Sequence, residues 1–234
     1  MIDLPDKPVT MLLQELPKTT RPREKLLAMG CQTLTDAELL AVMLGTGLPG
    51  QNVLQLAESL LQDFQGLAGL LQAKPVVLAS AKGLGEARRA KLLSVMELAR
   101  RVLLQKMQQR EVLNNPDNVK HFLQLQMGAY TQEVFAVLFM DAQYRLLKFQ
   151  EMFKGTLNQT SVYPREVVKL ALELGAAAVI LAHNHPSGDV RPSAADSALT
   201  RTLQTALSMV DIKVLDHIIV GPGQHWSMAE RSPW

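Results

Sequence analysis

The chain has 234 residues, which is enough for one large domain or two small ones. With 47% hydrophobic and 20% charged residues and a net charge of +2, its composition excludes a disordered, collagen-like or coiled-coil chain. One cysteine excludes an internal disulfide and a cysteine-rich zinc cluster. The N-terminal residues lack the pattern of a signal peptide, and no apolar run reaches the roughly 18 residues of a membrane span. We therefore expect a cytoplasmic protein without a membrane segment, in which Cys31 is a small buried hydrophobic residue.

The first half of the chain is predicted to be a bundle of short helices. Between residues 23 and 110, apolar residues recur at helical spacing in runs such as DAELLAVML and ARRAKLLSVMELARR. Thr35, with Glu38 three residues later, predicts a capping box at the start of one helix, which the glycines at 45–50 end. The polar segment 105–117 contains Asn-Asn-Pro-Asp and predicts a linker, so we place a domain boundary near residue 112.

The segment 82–110 carries eight basic residues against two acidic ones. It begins with two glycines, Gly83 and Gly85, at the start of a helix, and backbone amides at such a turn can bind a phosphate oxygen. One interpretation is DNA contact, and the other is a solvated helix surface beside a tight helix connection. The residues that would contact DNA are Lys82, Arg88, Arg89 and Lys91.

After the linker, strands alternate with helices, which predicts a mixed α/β or α+β domain over residues 112–234. The predicted elements are a helix at 118–128, strands at 133–140 and 145–154, a polar loop at 155–161, a helix from Pro164 that Gly175 closes, a strand that ends at His183 and His185, a helix from Pro192 and Ser193 to about Met209, a strand at 213–220 and a short strand around Trp226.

Two of the five histidines, His183 and His185, are two residues apart at the predicted end of a strand. Residues at this spacing point to the same side of a strand, so both imidazoles can bind one metal ion. A turn follows, and Asp196 in the first turn of the next helix brings a carboxylate back towards them. Two imidazoles, one carboxylate and an open position are typical of a catalytic zinc site.

Each of these residues also has a plainer interpretation. Ser193 and Asp196 match an ordinary helix N-cap, which is compatible with a metal-ligand role for Asp196. Asp189 is a competing carboxylate, although its Gly-Asp context favours a loop role. His217 lies in an apolar strand and is predicted to be a hydrogen-bonded core histidine.

The pattern His-x-His, ten residues and Asp, with Ser three residues before that Asp, resembles the JAMM motif of zinc-dependent MPN-domain proteins, which include deubiquitinating isopeptidases. The strings VYPREVV, AHNHPSGD, RPSAAD and LDHIIVG more specifically resemble the bacterial RadC family (UPF0758), often labelled DNA repair proteins, and the resemblance covers essentially the whole chain. It implies an α+β fold with a helical domain at 1–111 and an MPN (JAB)-like mixed sheet flanked by helices at 112–234. The Gly83–Gly85 segment resembles the hairpin of helix-hairpin-helix DNA-binding modules.

The resemblance implies zinc held by His183, His185 and Asp196 with water as the fourth ligand. It also implies an upstream glutamate as the proton acceptor and Ser193 as a group that assists the developing oxyanion. Glu133, directly before the apolar run VFAVLFM, fits the position of that glutamate better than its rivals, Glu151 and Glu166. The deubiquitinating members usually have Ser or Thr between the two histidines, whereas this chain has Asn184 there. This departure from the motif puts a ubiquitin-like substrate in doubt.

These observations favour a zinc-dependent hydrolase, a metallopeptidase or isopeptidase that acts on a peptide or protein substrate. The alternative is a DNA-associated repair or recombination factor whose basic N-terminal half supplies the activity. A third interpretation is an interaction module, since some MPN domains keep the fold without catalysis. The complete set of site residues argues against the third.

Overall fold

A computed structural model of the chain describes residues 17–109, 112, 115–155 and 162–231. It divides into two compact units, residues 1–96 and residues 97–234. Their described residues form ten α-helices and five strands, which confirms the α+β class. Within this described part, no helix combines the length and the apolar character that a membrane span needs.

The N-terminal unit is helical. Its elements are α1 (Pro22–Met29), α2 (Asp36–Leu44), α3 (Val53–Asp63), α4 (Leu67–Gln72), α5 (Pro75–Ser80) and the first part of α6 (Glu86–Gln109), with 3-10 turns at Lys18–Thr20 and Cys31–Thr33. The predicted capping box is confirmed at the start of α2, where the Thr35 side chain accepts from the Glu38 amide. Gly45 ends α2 with a φ of 80°, a conformation that glycine adopts readily.

The C-terminal unit has a five-stranded mixed sheet. After α7 (Pro116–Met127) come β1 (Val134–Met140), β2 (Leu146–Lys154), α8 (Pro164–Glu173), β3 (Ala178–Asn184), α9 (Ala194–Ser208), β4 (Lys213–Gly221), β5 (Gln224–Ser227) and α10 (Met228–Arg231). The strand order is β2-β1-β3-β4-β5. Only the β3–β4 pair is parallel; the other three pairs are antiparallel.

Alternate residues of the strands pack on opposite faces of this sheet. One core cluster joins Ala136, Leu138 and their neighbours to α7 and to Met107 of α6. The other joins Phe135 and Val137 to residues of α8 and α9. Both faces are therefore covered, which explains why β1 and β3 are buried at every position.

The β3–α9–β4 crossover prepares a site at one edge of the sheet. Because β3 and β4 are parallel, their carboxyl ends meet at the same edge, and the chain leaves that edge to begin α9. Ligand sites of α/β sheets are commonly found outside the carboxyl ends of strands. The predicted strand that ends in histidines is confirmed as β3.

Two expectations need correction. The described residues of the segment 105–117 do not form an open linker: α6 continues to Gln109, and Met107 and Val112 are buried against the sheet because α6 ends in the C-terminal unit. The packing thus assigns residues 97–109 to that unit, while the domain boundary near residue 112 stays a prediction. Cys31 is exposed, not buried, since it lies in a surface 3-10 turn. The predicted loop at 156–161 lies outside the described residues.

Candidate metal centre

The side chains of His183, His185 and Asp196 converge at the carboxyl end of β3. The Nε2 atoms of the two histidines are 2.9 Å apart, and His183 Nε2 is 3.2 Å from Asp196 Oδ1. His185 Nε2 lies 3.7 Å from Asp196 Oδ2. One ligand atom from each of the three residues lies within 4.8 Å of the others, so this group can hold a metal ion.

The start of α9 sets the direction of the Asp196 carboxylate. Ser193 is the N-cap, and its hydroxyl accepts from the Asp196 amide at 3.1 Å. Asp196 Oδ2 in turn accepts from the Ser193 amide at 2.7 Å and from the Ser193 hydroxyl at 2.6 Å. The capping box therefore uses one carboxylate oxygen and leaves Oδ1 towards His183.

The turn after β3 sets the direction of the His185 ring. Its Nδ1 lies 2.6 Å from the backbone carbonyl of Asp189, which can only accept, so Nδ1 carries a proton and Nε2 is the nitrogen that faces the cluster. The carboxylate of Asp189 pairs with Arg191 at 2.6 Å and does not join the cluster. The expected loop role of Asp189 is thus the one that the structure has.

The electrostatics of the cluster suit a cation. His183 is fully buried, and this burial lowers the pKa of its imidazole more than Asp196 raises it. Burial alone would raise the pKa of Asp196, but its interactions with His183 and the hydrogen bonds from Ser193 outweigh it and hold that pKa well below its usual range. A neutral imidazole beside an ionised carboxylate is the protonation state that metal ligation requires. The donor set of two nitrogens and one oxygen is one that Zn²⁺ uses in proteins.

Glu133 lines the same cavity as two of the metal-ligand candidates, His185 and Asp196. A cavity of about 320 Å³ is lined by Glu133, His185, Ser187, Asp189, Arg191, Ser193 and Asp196. Glu133 directly precedes β1, whose residue Phe135 pairs with His183 of β3. The rival Glu151 accepts a hydrogen bond from the Tyr130 hydroxyl at 2.6 Å, and Glu166 is an exposed first-turn acid of α8; neither lines this cavity.

Asn184 explains how Glu133 is held near the histidines. This residue is 2% exposed, and its Oδ1 accepts from the Val134 amide at 2.8 Å. Its Nδ2 donates to the carbonyls of Tyr130 and Gln132 at 3.2 and 3.0 Å. The asparagine between the histidines thus binds the backbone on both sides of Glu133. The sequence marked Asn184 only as a departure from a motif.

His217 and Thr200 are the other residues that sequence reasoning left out of the site. His183 Nδ1 is 2.8 Å from His217 Nε2, and His217 Nδ1 is 2.6 Å from the Thr200 hydroxyl. His217 is fully buried, as expected for a hydrogen-bonded core histidine, and its burial lowers its pKa well below the usual value. Its contact with a metal-ligand candidate depends on the β3–β4 register, which no local pattern reveals.

In the glycine-rich turn of the N-terminal unit, one of the four basic residues predicted to contact DNA, Arg88, is bonded to the protein backbone. Gly83 has a φ of 88°, and a side chain there would collide with Leu56. The Arg88 guanidinium donates to the carbonyls of Gly83 and Gly47 at 2.7 and 3.1 Å. These hydrogen bonds connect the turn at Gly83 to the loop after α2. Of the other three basic residues, Lys82 and Lys91 are exposed and Arg89 is half-buried.

Comparisons with known proteins agree with the geometry. A family model described as a RadC-like JAB domain matches residues 113–233, and a second, described as the UPF0758 N-terminal family, matches residues 13–90. The chain belongs to the RadC (UPF0758) family. Relatives called UPF0758 protein include those of Methylibium petroleiphilum, 58% identical over 219 residues, and Polaromonas sp., 56% identical over 220 residues. Each alignment covers 94% of this chain and 98 to 99% of the relative.

This membership connects the site with the fold. The JAB domain of the family has a JAMM-type metalloenzyme fold, and its span, residues 113–233, contains every residue of the candidate metal centre. The family match thus agrees with the JAMM-like spacing of His183, His185 and Asp196 in the sequence.

Proposed function

We propose that the C-terminal unit of this RadC family member is a zinc-dependent hydrolase that cleaves peptide or isopeptide bonds. The observation that carries the proposal is the convergence of His183 Nε2, His185 Nε2 and Asp196 Oδ1 beside a cavity that also holds Glu133. Zinc bound by these three residues would supply a Lewis acid that acidifies water and polarises a carbonyl. The lone thiol of the chain, exposed Cys31, supports a cytoplasmic setting as part of the same proposal.

The residues of the chain have separate roles in this reaction. Glu133 accepts the proton of the attacking water and returns it to the leaving amine, which is ordinary general acid–base catalysis. Ser193 donates a hydrogen bond to the developing oxyanion. In the described state its hydroxyl donates to Asp196, so it exchanges that partner for the substrate oxygen as the reaction proceeds. The neighbouring backbone bond from the Ser193 amide keeps Asp196 in place meanwhile.

The test combines metal analysis with an unbiased peptide-cleavage screen. We expect about one zinc per chain, its loss in His183→Ala, and cleavage that Glu133→Gln abolishes while zinc stays bound. Glu166→Gln is the matched control, because Glu166 is exposed at the first turn of α8 and should leave cleavage unchanged. A purified protein without zinc, or a His183→Ala variant with full zinc content, contradicts the proposal. Bound zinc without cleavage of any substrate favours an interaction module.

A second candidate function is DNA association through the N-terminal unit. It is supported by the exposed Lys82 and Lys91 on either side of the turn at Gly83 and Gly85, where α6 begins. Arg88 is set apart from this surface, since its guanidinium is bonded to loop carbonyls.

Binding of the full chain to duplex DNA at several salt concentrations tests this second function. If Lys82 and Lys91 contact phosphates, binding should weaken steeply with salt, and the Lys82→Ala/Lys91→Ala double variant should lower both the affinity and the salt slope. The control is Lys169→Ala on α8, which is exposed in the C-terminal unit. Binding that ignores salt, or that the double variant leaves unchanged, argues against DNA contact at this turn.

A further inference from the structure

Three consecutive hydrogen bonds connect His183 to the backbone of α9, the helix that carries Asp196. The first two run from His183 Nδ1 to His217 Nε2 at 2.8 Å and from His217 Nδ1 to the Thr200 hydroxyl at 2.6 Å. The Thr200 hydroxyl then contacts the backbone carbonyl of Asp196 at 2.7 Å. All four residues of this hydrogen-bonded chain are at most 3% exposed, so water does not substitute for any of its partners.

The last of these hydrogen bonds, at the Asp196 carbonyl, determines which atom donates and which accepts in the other two. A carbonyl oxygen can only accept, so the Thr200 hydroxyl donates its single proton there. The Thr200 oxygen must then accept from His217, which places the proton of that ring on Nδ1. A second proton on His217 would make a fully buried cation without a carboxylate in hydrogen-bond contact, which is costly. His217 Nε2 is therefore a lone pair.

The same reasoning reaches the metal-ligand candidate. Since His217 Nε2 accepts, His183 donates from Nδ1, which makes Nε2, the atom directed at His185 and Asp196, the nitrogen available to a metal ion. The opposite tautomer of His183 would direct an N–H into the cluster and block ligation. Ligating histidines usually donate their other ring N–H to a fixed partner, and that partner raises metal affinity by tens of times.

We propose that His217 and Thr200 are positioning residues that fix the metal-binding tautomer of His183 and connect it to α9, the helix that carries Asp196. This inference rests on the metal site of the proposed function and adds two residues that act through His183 without contacting substrate. The competing explanation is a packing role: His217 also contacts the Phe135 ring edge-on at 5.9 Å, and that contact needs no particular tautomer.

Nitrogen-15 NMR of imidazole-labelled, metal-free full-length protein measures the tautomers directly. At about pH 8, above the usual imidazole pKa of about 6.5, we expect His183 and His217 both to carry their protons on Nδ1. The His183 signals are assigned from their loss in His183→Ala. A wild-type spectrum in which His183 carries its proton on Nε2 overturns the proposal, whether or not the protein binds zinc.

Substitution at Thr200 tests the consequence for metal binding. Thr200→Val removes the hydroxyl at nearly constant volume, so we expect a zinc affinity lowered by about 10- to 100-fold in chelator competition and a shift of His183 towards the Nε2–H tautomer. Thr200→Ser, which keeps the hydroxyl, should restore both. Thr202→Val is the matched control, since Thr202 makes the same bond to a carbonyl four residues earlier on the exposed face of α9.

The outcomes separate this inference from the proposed function. A folded Thr200→Val variant whose zinc affinity equals that of Thr202→Val shows that the chain of bonds only packs the core, and the proposal is then wrong. If Thr200→Val does not fold, the wild-type tautomers decide. A wild-type protein that binds no zinc or cleaves no peptide contradicts the proposed function but leaves the tautomer measurement intact.

Discussion

The helical unit and the sheet unit contain the same local device at a helix start, with different chemical consequences. In α2, Thr35 and Glu38 form a capping box, and in α9 Ser193 and Asp196 form another. The Glu38 carboxylate also binds the Lys25 ammonium at 2.8 Å. Among the residues that the structure describes, the Asp196 carboxylate pairs with no lysine or arginine and instead faces two imidazole nitrogens.

This difference teaches that the cap positions a carboxylate and that the partner decides its chemistry. The hydrogen bond from Lys25 lowers the pKa of Glu38, and the charge is satisfied within the protein. Asp196 faces two imidazole nitrogens instead of an ammonium group, so its negative charge remains for an external cation that these nitrogens can also bind. A capping pattern in a sequence therefore does not by itself distinguish a structural acid from a metal ligand.

The two units also share a second device, a polar side chain that binds the backbone of a distant segment. Arg88 donates to loop carbonyls in the helical unit, and Asn184 binds an amide and two carbonyls in the sheet unit. The Asn184 bonds are largely buried, whereas part of the Arg88 contact is exposed. The loss of the Asn184 hydrogen bonds should therefore cost more stability than the loss of the Arg88 hydrogen bonds.

The largest expected effect breaks the comparison of the two caps. Asp196→Asn keeps an oxygen for the cap but removes the charge, so we expect the affinity for zinc to fall by at least about 100-fold, more than for loss of an indirect partner. Glu38→Gln makes the same change in α2 and should leave zinc binding unchanged. Chelator competition and metal content measure both. Equal zinc affinity in wild type and Asp196→Asn would remove Asp196 from the ligand set.

The next effect concerns the backbone hydrogen bonds of Asn184 and Arg88. Asn184→Ala leaves the buried Val134 amide without its partner, and we expect the local free energy of opening there to fall by about 2 to 4 kcal/mol. Arg88→Met should cost only about 1 kcal/mol at Gly83 and Gly47, since water replaces a partly exposed donor. Native-state hydrogen exchange measures both. A smaller effect for Asn184→Ala than for Arg88→Met would contradict the difference in burial.

Much of the C-terminal unit could be predicted from the sequence because its signals are local. The dense apolar run of β1, the capping pattern at Ser193 and the two-residue spacing of His183 and His185 each depend on neighbours in the chain. These local signals are enough to predict that His183, His185 and Asp196 lie together at one edge of the sheet. The catalytic roles of Glu133 and Ser193 stay predictions.

The residues that sequence reasoning missed are those whose partners are distant in the chain. Asn184 binds Val134, fifty residues earlier, and His217 binds His183, thirty-four residues earlier, so both contacts follow from strand register alone. For the described residues 105–109 and 112, the prediction of a linker is wrong for a related reason. Met107 lies in a polar stretch that is typical of a linker, yet its side chain is buried in a core that the sheet completes.

A smaller effect sharpens the comparison of the caps. Ser193→Ala and Thr35→Ala each remove an N-cap oxygen, so each should lower the free energy of unfolding of its unit by about 1 kcal/mol. Only Ser193→Ala should also weaken zinc binding, by about 10-fold, because its hydroxyl orients Asp196. Thermal unfolding and chelator competition separate the two properties. If Thr35→Ala weakens zinc binding as much, the effect is one of general stability.

The smallest expected effect depends on pH. Because Lys25 lowers the pKa of Glu38 in the folded protein, their pair contributes stability that is fully present above the usual glutamate pKa of about 4.3 and is lost as the pH falls through the lower, folded value. Lys25→Met should therefore destabilise the helical unit by roughly 0.5 to 1 kcal/mol near pH 7 and by progressively less at lower pH. Denaturation at a series of pH values, with wild type as reference, measures this convergence. A destabilisation that stays constant down to about pH 2 would assign the effect to lost packing of the lysine side chain instead of its charge.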